Sequence, residues 1–96
     1  MPFTRLYQLK SRRQEGDALE AALKRLAGRV ISIPGCQGVE LMRDSQNHDH
    51  FVFVERWTSS ALHNSGAQIL GPDALCDVEA LLSEPPVGCS LNSVLY

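Results

Sequence analysis

The sequence lacks the features that mark several large classes of protein. No apolar run approaches the roughly 18 residues that a membrane span needs, and the first residues do not form the apolar stretch of a signal peptide. The one basic cluster, Lys10-Ser11-Arg12-Arg13, is short and the formal charge is −2, which argues against a nucleic-acid footprint. We therefore expect a cytoplasmic protein that binds neither membranes nor nucleic acid.

Paired cysteines are also absent. Cys36, Cys76 and Cys89 form no CxxC pair and cannot all be bridged to one another, which is typical of free thiols in a reducing compartment. The chain has 96 residues, 44% of them hydrophobic and 21% charged, as expected for one ordinary domain spanning residues 1–96. A chain this short buries only about 60 to 65% of its unfolded surface, so a subunit partner is expected.

Strands are predicted at residues 3–10, 39–43, 51–57 and 89–95 from alternating or uninterrupted large side chains. In the first, Phe3, Arg5, Tyr7 and Leu9 share one face. A helix capped by Asp17 follows it, with an apolar stripe at positions 19, 22, 23, 26 and 30. Ser59 or Ser60 caps a second helix, and a third starts at Pro72, with Cys76 beside its apolar stripe as a small buried residue.

This order of elements predicts an α+β fold of the ferredoxin-like βαββαβ type. Its four-stranded antiparallel sheet has both helical regions on one face, and Phe51, Phe53, Glu55 and Trp57 share one face of the third strand. The other face still carries large side chains, and a small domain does not leave so much apolar sheet in water. We therefore expect a homodimer formed through the open sheet face.

Several segments match a known family in spacing and order across nearly the whole chain. They are Pro34-Gly35-Cys36 through Gly38-Val39-Glu40-Leu41 to Arg43-Asp44, then Phe51-Val52-Phe53-Val54-Glu55-Arg56-Trp57-Thr58-Ser59, Ala61-Leu62, and Leu81-Leu82-Ser83-Glu84-Pro85-Pro86. In these the sequence resembles the antibiotic biosynthesis monooxygenase (ABM) domains of the dimeric α/β-barrel superfamily. The resemblance implies oxidation of quinols or polycyclic aromatics by O₂ without metal, flavin or haem.

Two positions differ from the family pattern. Ser65 stands where members commonly carry a histidine, and the nearest histidine is His63. Phe53 stands where the aromatic-polyketide oxygenases have an asparagine, which weakens that mechanism here. Haem-degrading relatives use a tryptophan in the second helical region, whereas the only tryptophan here is Trp57 at the strand end. We therefore expect no haem.

Glu55 has two interpretations. A carboxylate in the middle of a buried strand is costly unless paired, so Glu55 either pairs with an arginine or a backbone donor at the dimer interface, or is a pocket carboxylate with a raised pKa that accepts a phenolic proton. His63 is either an exposed helix residue or the catalytic base. Trp57 and Phe53 either pack the core or sandwich an aromatic ring, and Tyr7 or Asn92 would hold a substrate oxygen.

His48 and His50 form an HxH motif in a polar loop, but nothing nearby supplies a convincing third ligand, so a solvated loop is favoured over a metal site. No glycine-rich phosphate loop follows a strand. The leading hypothesis is therefore a cofactor-free monooxygenase acting on a small aromatic molecule, with Glu55 or His63 as base. The alternatives are a non-catalytic dimeric binding or stress-response domain, and an isomerase that uses the same pocket.

Overall fold

The computed structural model describes residues 2–95. The elements are β1 (Phe3–Lys10), α1 (Gly16–Val30), β2 (Cys36–Arg43), β3 (His50–Trp57), α2 (Ser60–Leu70), a 3₁₀ turn (Pro72–Leu75), α3 (Cys76–Glu79) and β4 (Val87–Leu91). Their order confirms the predicted βαββαβ arrangement. No helix in this part of the chain is long and apolar enough to cross a membrane.

The four strands form one antiparallel sheet in the order β2-β3-β1-β4. The helices cover one face, which we call the inner face, and the opposite face is the outer face. Side chains from β1 and β3 meet on the inner face, where Tyr7 is opposite Phe53 and Arg5 is opposite Glu55. Since β1 and β3 are the central strands, whatever they place on the inner face lies beneath the helices.

The core forms where α1 packs on β3. Leu19, Ala22, Leu23, Leu26 and Val30 are all buried, as the helical spacing predicts. They pack in one cluster with Phe51, Phe53 and Trp57, which are 0 to 2% exposed. The shared face predicted for β3 is therefore confirmed, and it includes Glu55, which is 7% exposed.

The first helix starts differently from the prediction. Asp17 is not its cap, because the helix begins at Gly16, where a Cβ would collide with the Arg43 guanidinium. Asp17 lies instead in the first turn, where its Oδ1 accepts from Arg43 Nη1 at 2.9 Å. A negative charge in the first turn is also stabilising, because it interacts favourably with the positive end of the helix dipole.

Three of the strands have different bounds from the predicted ones, and for the third the difference is one residue, since it begins at His50 and not at residue 51. The second begins at Cys36, not at residue 39, because Cys36 already pairs with Trp57 across a bulge before Gly38. The last begins at Val87, not at residue 89, since Val87 already pairs with Gln8. It ends at Leu91, not at residue 95, because Leu91 pairs with Thr4 near the start of β1 and little of that strand remains beyond it. The prediction for Cys76 was also wrong: it is exposed, since α3 is only four residues long and turns Val78 into the core.

Candidate active site

A cavity of about 180 Å³ lies between the inner face of the sheet and the helices. Its wall is mostly aliphatic and aromatic. The lining residues that matter below are Tyr7, Phe53, Glu55, Trp57, His63 and Gly66. Ala67, Leu75, Glu79 and Pro86 also line the cavity but are exposed, so they mark its opening to solvent. A dry apolar cavity of about 150 Å³ is enough to bind benzene, so this one has room for a small aromatic ring system.

Glu55 supplies a carboxylate to this apolar cavity. Its Oε1 accepts a hydrogen bond from Trp57 Nε1–H at 3.0 Å and lies 3.8 Å from His63 Nε2. Burial raises the pKa of Glu55, and the indole hydrogen bond and the charges of His63 and Arg5 offset only part of that rise. The partners are a side-chain indole and an imidazole inside the cavity, which corrects the interpretation that an arginine or backbone donor at a dimer interface pairs with Glu55.

His63 faces the cavity because of where α2 begins. Ser59 is the cap, and its Oγ accepts from the Leu62 backbone N–H at 3.2 Å, as the sequence suggested for Ser59 or Ser60. His63 then falls in the first turn, on the side of the helix that packs on the sheet. Its ring centroid lies 5.5 Å from that of Trp57, edge-on, and 5.4 Å from that of Phe3. His63 is therefore a pocket residue and not a solvated one.

The close approach of α2 to the sheet depends on a glycine that the sequence analysis did not single out. A Cβ on Gly66 would lie 2.8 Å from Trp57 Cη2 and 3.1 Å from Ile33 Cγ2. Because Gly66 has no side chain, the Trp57 indole packs directly against the backbone of α2, one turn beyond His63. A glycine in the middle of a predicted amphipathic helix is the sequence signal for such a contact, since it is unfavourable there without a packing reason.

The other predicted binding residues fall into two groups. Tyr7 and Phe53 line the cavity from adjacent strands, and burial raises the pKa of Tyr7, so its hydroxyl keeps its proton at neutral pH and can donate. Asn92 does not line the cavity, because β4 has ended at Leu91 and the side chain is exposed. The structure thus brings together Glu55, His63, Trp57, Phe53 and Tyr7 and leaves Asn92 outside.

The polar loop before β3 takes no part in the cavity. His48 is exposed, and His50 Nδ1 lies 3.6 Å from Asp44 Oδ2 within the same hairpin. Within residues 2–95 there is no cluster of three or more His, Cys, Asp or Glu side chains placed to hold a metal ion. The loop ties the two strands together and presents no ligand set.

The family model for antibiotic biosynthesis monooxygenases matches residues 2–65 of the chain, which include β1, β3, Glu55 and His63. No curated protein matches the sequence closely enough to be significant. The fold recurs in many solved structures. Rv0793 from Mycobacterium tuberculosis superposes with a TM-score of 0.82 at 21% identity, with 98% of this chain and 96% of that one covered.

Two further solved structures are similar over nearly their whole lengths. PA3566 from Pseudomonas aeruginosa gives a TM-score of 0.81 at 21% identity, with 97% and 94% of the two chains covered. A variant of SnoaB, a cofactor-independent oxygenase from Streptomyces nogalater, gives 0.83 at 15% identity, with 99% and 95% covered. At these identities the likeness establishes the shared ferredoxin-like fold.

Proposed function

The chain belongs to the antibiotic biosynthesis monooxygenase family, and on that premise we propose that it is a cofactor-independent monooxygenase acting on a quinol or another electron-rich aromatic. The observation that carries the proposal is the meeting of Glu55, His63 and the Trp57 indole in an otherwise apolar cavity. The SnoaB similarity supports it, since that protein is a cofactor-independent oxygenase of the same fold.

The site residues take distinct roles. The substrate ring lies against Trp57 and Phe53, and its hydroxyl points to the polar end of the cavity. His63 accepts the hydroxyl proton, and the Glu55 carboxylate, 3.8 Å from Nε2, stabilises the imidazolium that forms. The Trp57 N–H holds Oε1 in place for this task.

Removing the proton is the step that the protein must assist, because an aromatic anion gives an electron to O₂ far more readily than the neutral phenol does. For a hydroquinone, one oxygen atom then enters the ring to give a hydroxyquinone and the other leaves as water, which balances without an external reductant. Fixed partners in a mostly apolar cavity stabilise the charges better than water does, because their dipoles need no reorganisation.

The test is O₂ uptake with menadiol, corrected for the rate without protein, and mass analysis of the product after reaction in heavy-isotope O₂. We expect one labelled oxygen in the hydroxyquinone. His63→Ala should lower turnover by at least about tenfold, which equals about 1.4 kcal/mol of barrier, and Glu55→Gln should lower it by a similar factor. His48→Ala, in the exposed loop, is the matched control and should leave the rate unchanged.

The outcomes separate the competing assignments. Wild-type rates in His63→Ala together with a loss in Glu55→Gln would make Glu55 the base. Peroxide release with no labelled product would mean that the protein only oxidises the quinol. Ligand binding without O₂ uptake in any variant would favour the non-catalytic domain, and an unlabelled rearranged product would favour the isomerase.

We also propose that the protein is a homodimer formed through the outer face. The apolar side chains that alternate to that face come from all four strands; they are Leu6, Met42, Val52, Val54, Val87 and Leu91. Met42 is 47% exposed, Leu91 43% and Val87 64%, so large apolar side chains of both edge strands remain open to solvent on this face. A surface of this kind marks an interaction site.

A further inference from the structure

Arg5 is a basic residue on the inner face, where the rest of β1 is apolar. It lies between Phe3 and Tyr7 on the same side of the strand and directly opposite Glu55 on β3. Cross-strand partners have Cβ atoms about 5 Å apart, so the guanidinium and the Glu55 carboxylate share one region of the fold. The sequence shows this arginine on an otherwise apolar strand face, and the proposed function does not use it.

The contacts of Arg5 include no ion pair. Its Nη1 donates to Ser90 Oγ at 3.0 Å, its Cζ lies 5.0 Å from the centroid of the Tyr7 ring, and its Nε is buried without a hydrogen-bond acceptor. Within residues 2–95 no carboxylate comes within ion-pair distance of it. The other arginines of the sheet differ, because Arg43 pairs with Asp17 and Glu20, and Arg56 pairs with Glu40.

The close packing around Arg5 fixes the guanidinium in place. A Cβ on Gly88, in the adjacent strand β4, would lie 2.6 Å from Arg5 Nη2 and 3.0 Å from Tyr7 Cδ1, so the glycine makes room for both side chains. Arg5 does not line the cavity itself, whereas Tyr7 does. The arginine therefore acts on the cavity from behind the Tyr7 ring.

We propose that Arg5 and Tyr7 form an anion subsite, so that the cavity selects ring compounds whose oxygen binds in the ionised form. The Tyr7 hydroxyl donates to that oxygen, and the Arg5 guanidinium behind it supplies the opposite charge. This rests on the proposed function and narrows its substrate class to electron-rich rings that carry, besides the hydroxyl that His63 deprotonates, a second and more acidic oxygen. Arg5 is thus a positioning residue that acts through Tyr7.

The arrangement of charges explains why such a subsite is useful. The Glu55 carboxylate already places negative charge at the polar end of the cavity, and a substrate anion beside it would be repelled. The Arg5 guanidinium behind the Tyr7 ring offsets this repulsion, because an opposite charge close to the bound anion favours its ionised form. Arg5 is partly buried, its Nε has no hydrogen-bond acceptor and no carboxylate forms an ion pair with it, so a bound anion would supply a missing partner.

The test compares two naphthoquinones of nearly the same shape. Lawsone carries a hydroxyl group that is ionised at neutral pH, and menadione carries a methyl group in its place and stays neutral. Binding is followed through the fluorescence of Trp57, the only tryptophan in the sequence and part of the cavity wall, and is checked by calorimetry. We expect the wild type to bind lawsone more tightly than menadione.

Variants then show whether the preference for lawsone depends on Arg5 and Tyr7. Arg5→Met should weaken lawsone at least about tenfold, as expected for the loss of a charge-assisted contact, and leave menadione within about twofold. Arg5→Lys, which keeps the charge, should restore most of the preference, and Tyr7→Phe should reduce it. Arg25→Met removes the same charge from the exposed side of α1 and should change neither ligand.

A merely structural arginine would give a different result. If Arg5→Met weakens both ligands equally, or if the wild type shows no preference for lawsone, the inference is wrong. If Arg5→Met does not fold, Arg5→Lys and Tyr7→Phe still measure the ratio of the two affinities. The ratio requires no turnover, so a clear preference without O₂ uptake would support the anion subsite while contradicting the proposed monooxygenase. Oxidation of menadiol by a wild type that binds lawsone and menadione equally would support the proposed monooxygenase and contradict the anion subsite.

Discussion

The two faces of the sheet are built from the same strands by the same alternation, yet they differ in what they bury. The inner face is covered by helices and holds Phe51 and Phe53 with almost no exposure. The outer face is also largely apolar, but Met42 and Leu91 remain open to solvent. Apolar residues on both faces of a small sheet are typical of strands that are covered on both sides. The inner face is covered by helices of the same chain. The outer face is not, and we assign its cover to a second copy of the chain.

The charged residues of the two faces differ in the same way. On the outer face Arg56 pairs with Glu40, and both side chains are about half exposed, so the pair contributes little to stability. On the inner face Glu55 and Arg5 lie opposite each other without forming an ion pair, and Glu55 is only 7% exposed. A buried carboxylate is costly for a fold, and Glu55 lies on the face that contains the cavity, which is why we place the chemistry there.

The largest expected effect is on stability at the inner face. Phe51 is fully buried beneath α1 and does not line the cavity. Phe51→Ala should therefore lower the free energy of unfolding by about 3 to 5 kcal/mol, because it removes apolar contacts and leaves a void. Urea unfolding at one fixed protein concentration measures this, since the stability of an oligomer depends on concentration.

The neighbouring residue on the outer face is the matched control. Val52 follows Phe51 on β3 but points to the opposite side of the sheet and is half-buried. Val52→Ala should cost about 1 kcal/mol or less when both variants are unfolded at a protein concentration low enough for the chain to be monomeric, within the usual range for partly exposed sites. Equal losses for the two substitutions would show that the two faces are covered alike within one chain, and the comparison would fail.

The second effect concerns association. Met42→Asp places a carboxylate on the exposed outer face, where a single chain tolerates it but an apolar dimer interface does not. We expect the dimer dissociation constant to rise at least about 100-fold, which equals about 2.7 kcal/mol, as for an interface hot spot. Light scattering over a range of protein concentrations measures the change.

The same substitution on α2 serves as the control for this prediction. Ile69 is 64% exposed but lies on the helical side of the molecule, so Ile69→Asp should leave the association state unchanged. A stable wild-type monomer of 10.6 kDa at micromolar concentration would contradict the dimer proposal directly. Dissociation by Ile69→Asp and not by Met42→Asp would move the interface to the helices.

The sequence was sufficient for the fold because its strongest signals are periodic. The alternation in β3 and the stripe of α1 each predict one buried face, and those two faces form the core. Boundaries were less predictable, because they depend on partners distant in the chain. The start of α1 depends on Arg43 packing over Gly16, and the end of β4 depends on where β1 begins.

The candidate site was predictable in part for the same reason. Glu55 and Trp57 share a strand face, so their proximity follows from the period of two, and the indole hydrogen bond fits that spacing. The orientation of His63 required the position of the Ser59 cap, which sequence alone left open between two serines. Asn92 was misplaced because it was assigned to a strand that ends before it. The unpaired state of Arg5 depends on every neighbouring carboxylate, and no local pattern encodes that.

The smallest expected effect is on the pH dependence of stability, and it concerns Glu55 on the inner face. Burial raises the pKa of Glu55 above its ordinary value near 4.5, so the folded protein binds this proton more tightly than the unfolded chain does. The stabilising contribution is then fully present below the ordinary value and is lost as the pH rises through the raised pKa. Glu55→Gln stays neutral at every pH, and its amide oxygen can still accept from the Trp57 indole.

Glu55→Gln should therefore melt close to the wild type in mild acid and above it at neutral pH, with the gap opening as the pH rises through the raised pKa of Glu55. Melting temperatures across this pH range measure the gap. Glu84→Gln, an exposed carboxylate paired with Lys10, is the reference for losing one surface charge. A gap that stays constant with pH, or that closes as the pH rises, would contradict the raised pKa. If Glu55→Gln is more stable than the wild type at neutral pH and its turnover is lower, then the Glu55 carboxylate lowers stability and is needed for the reaction.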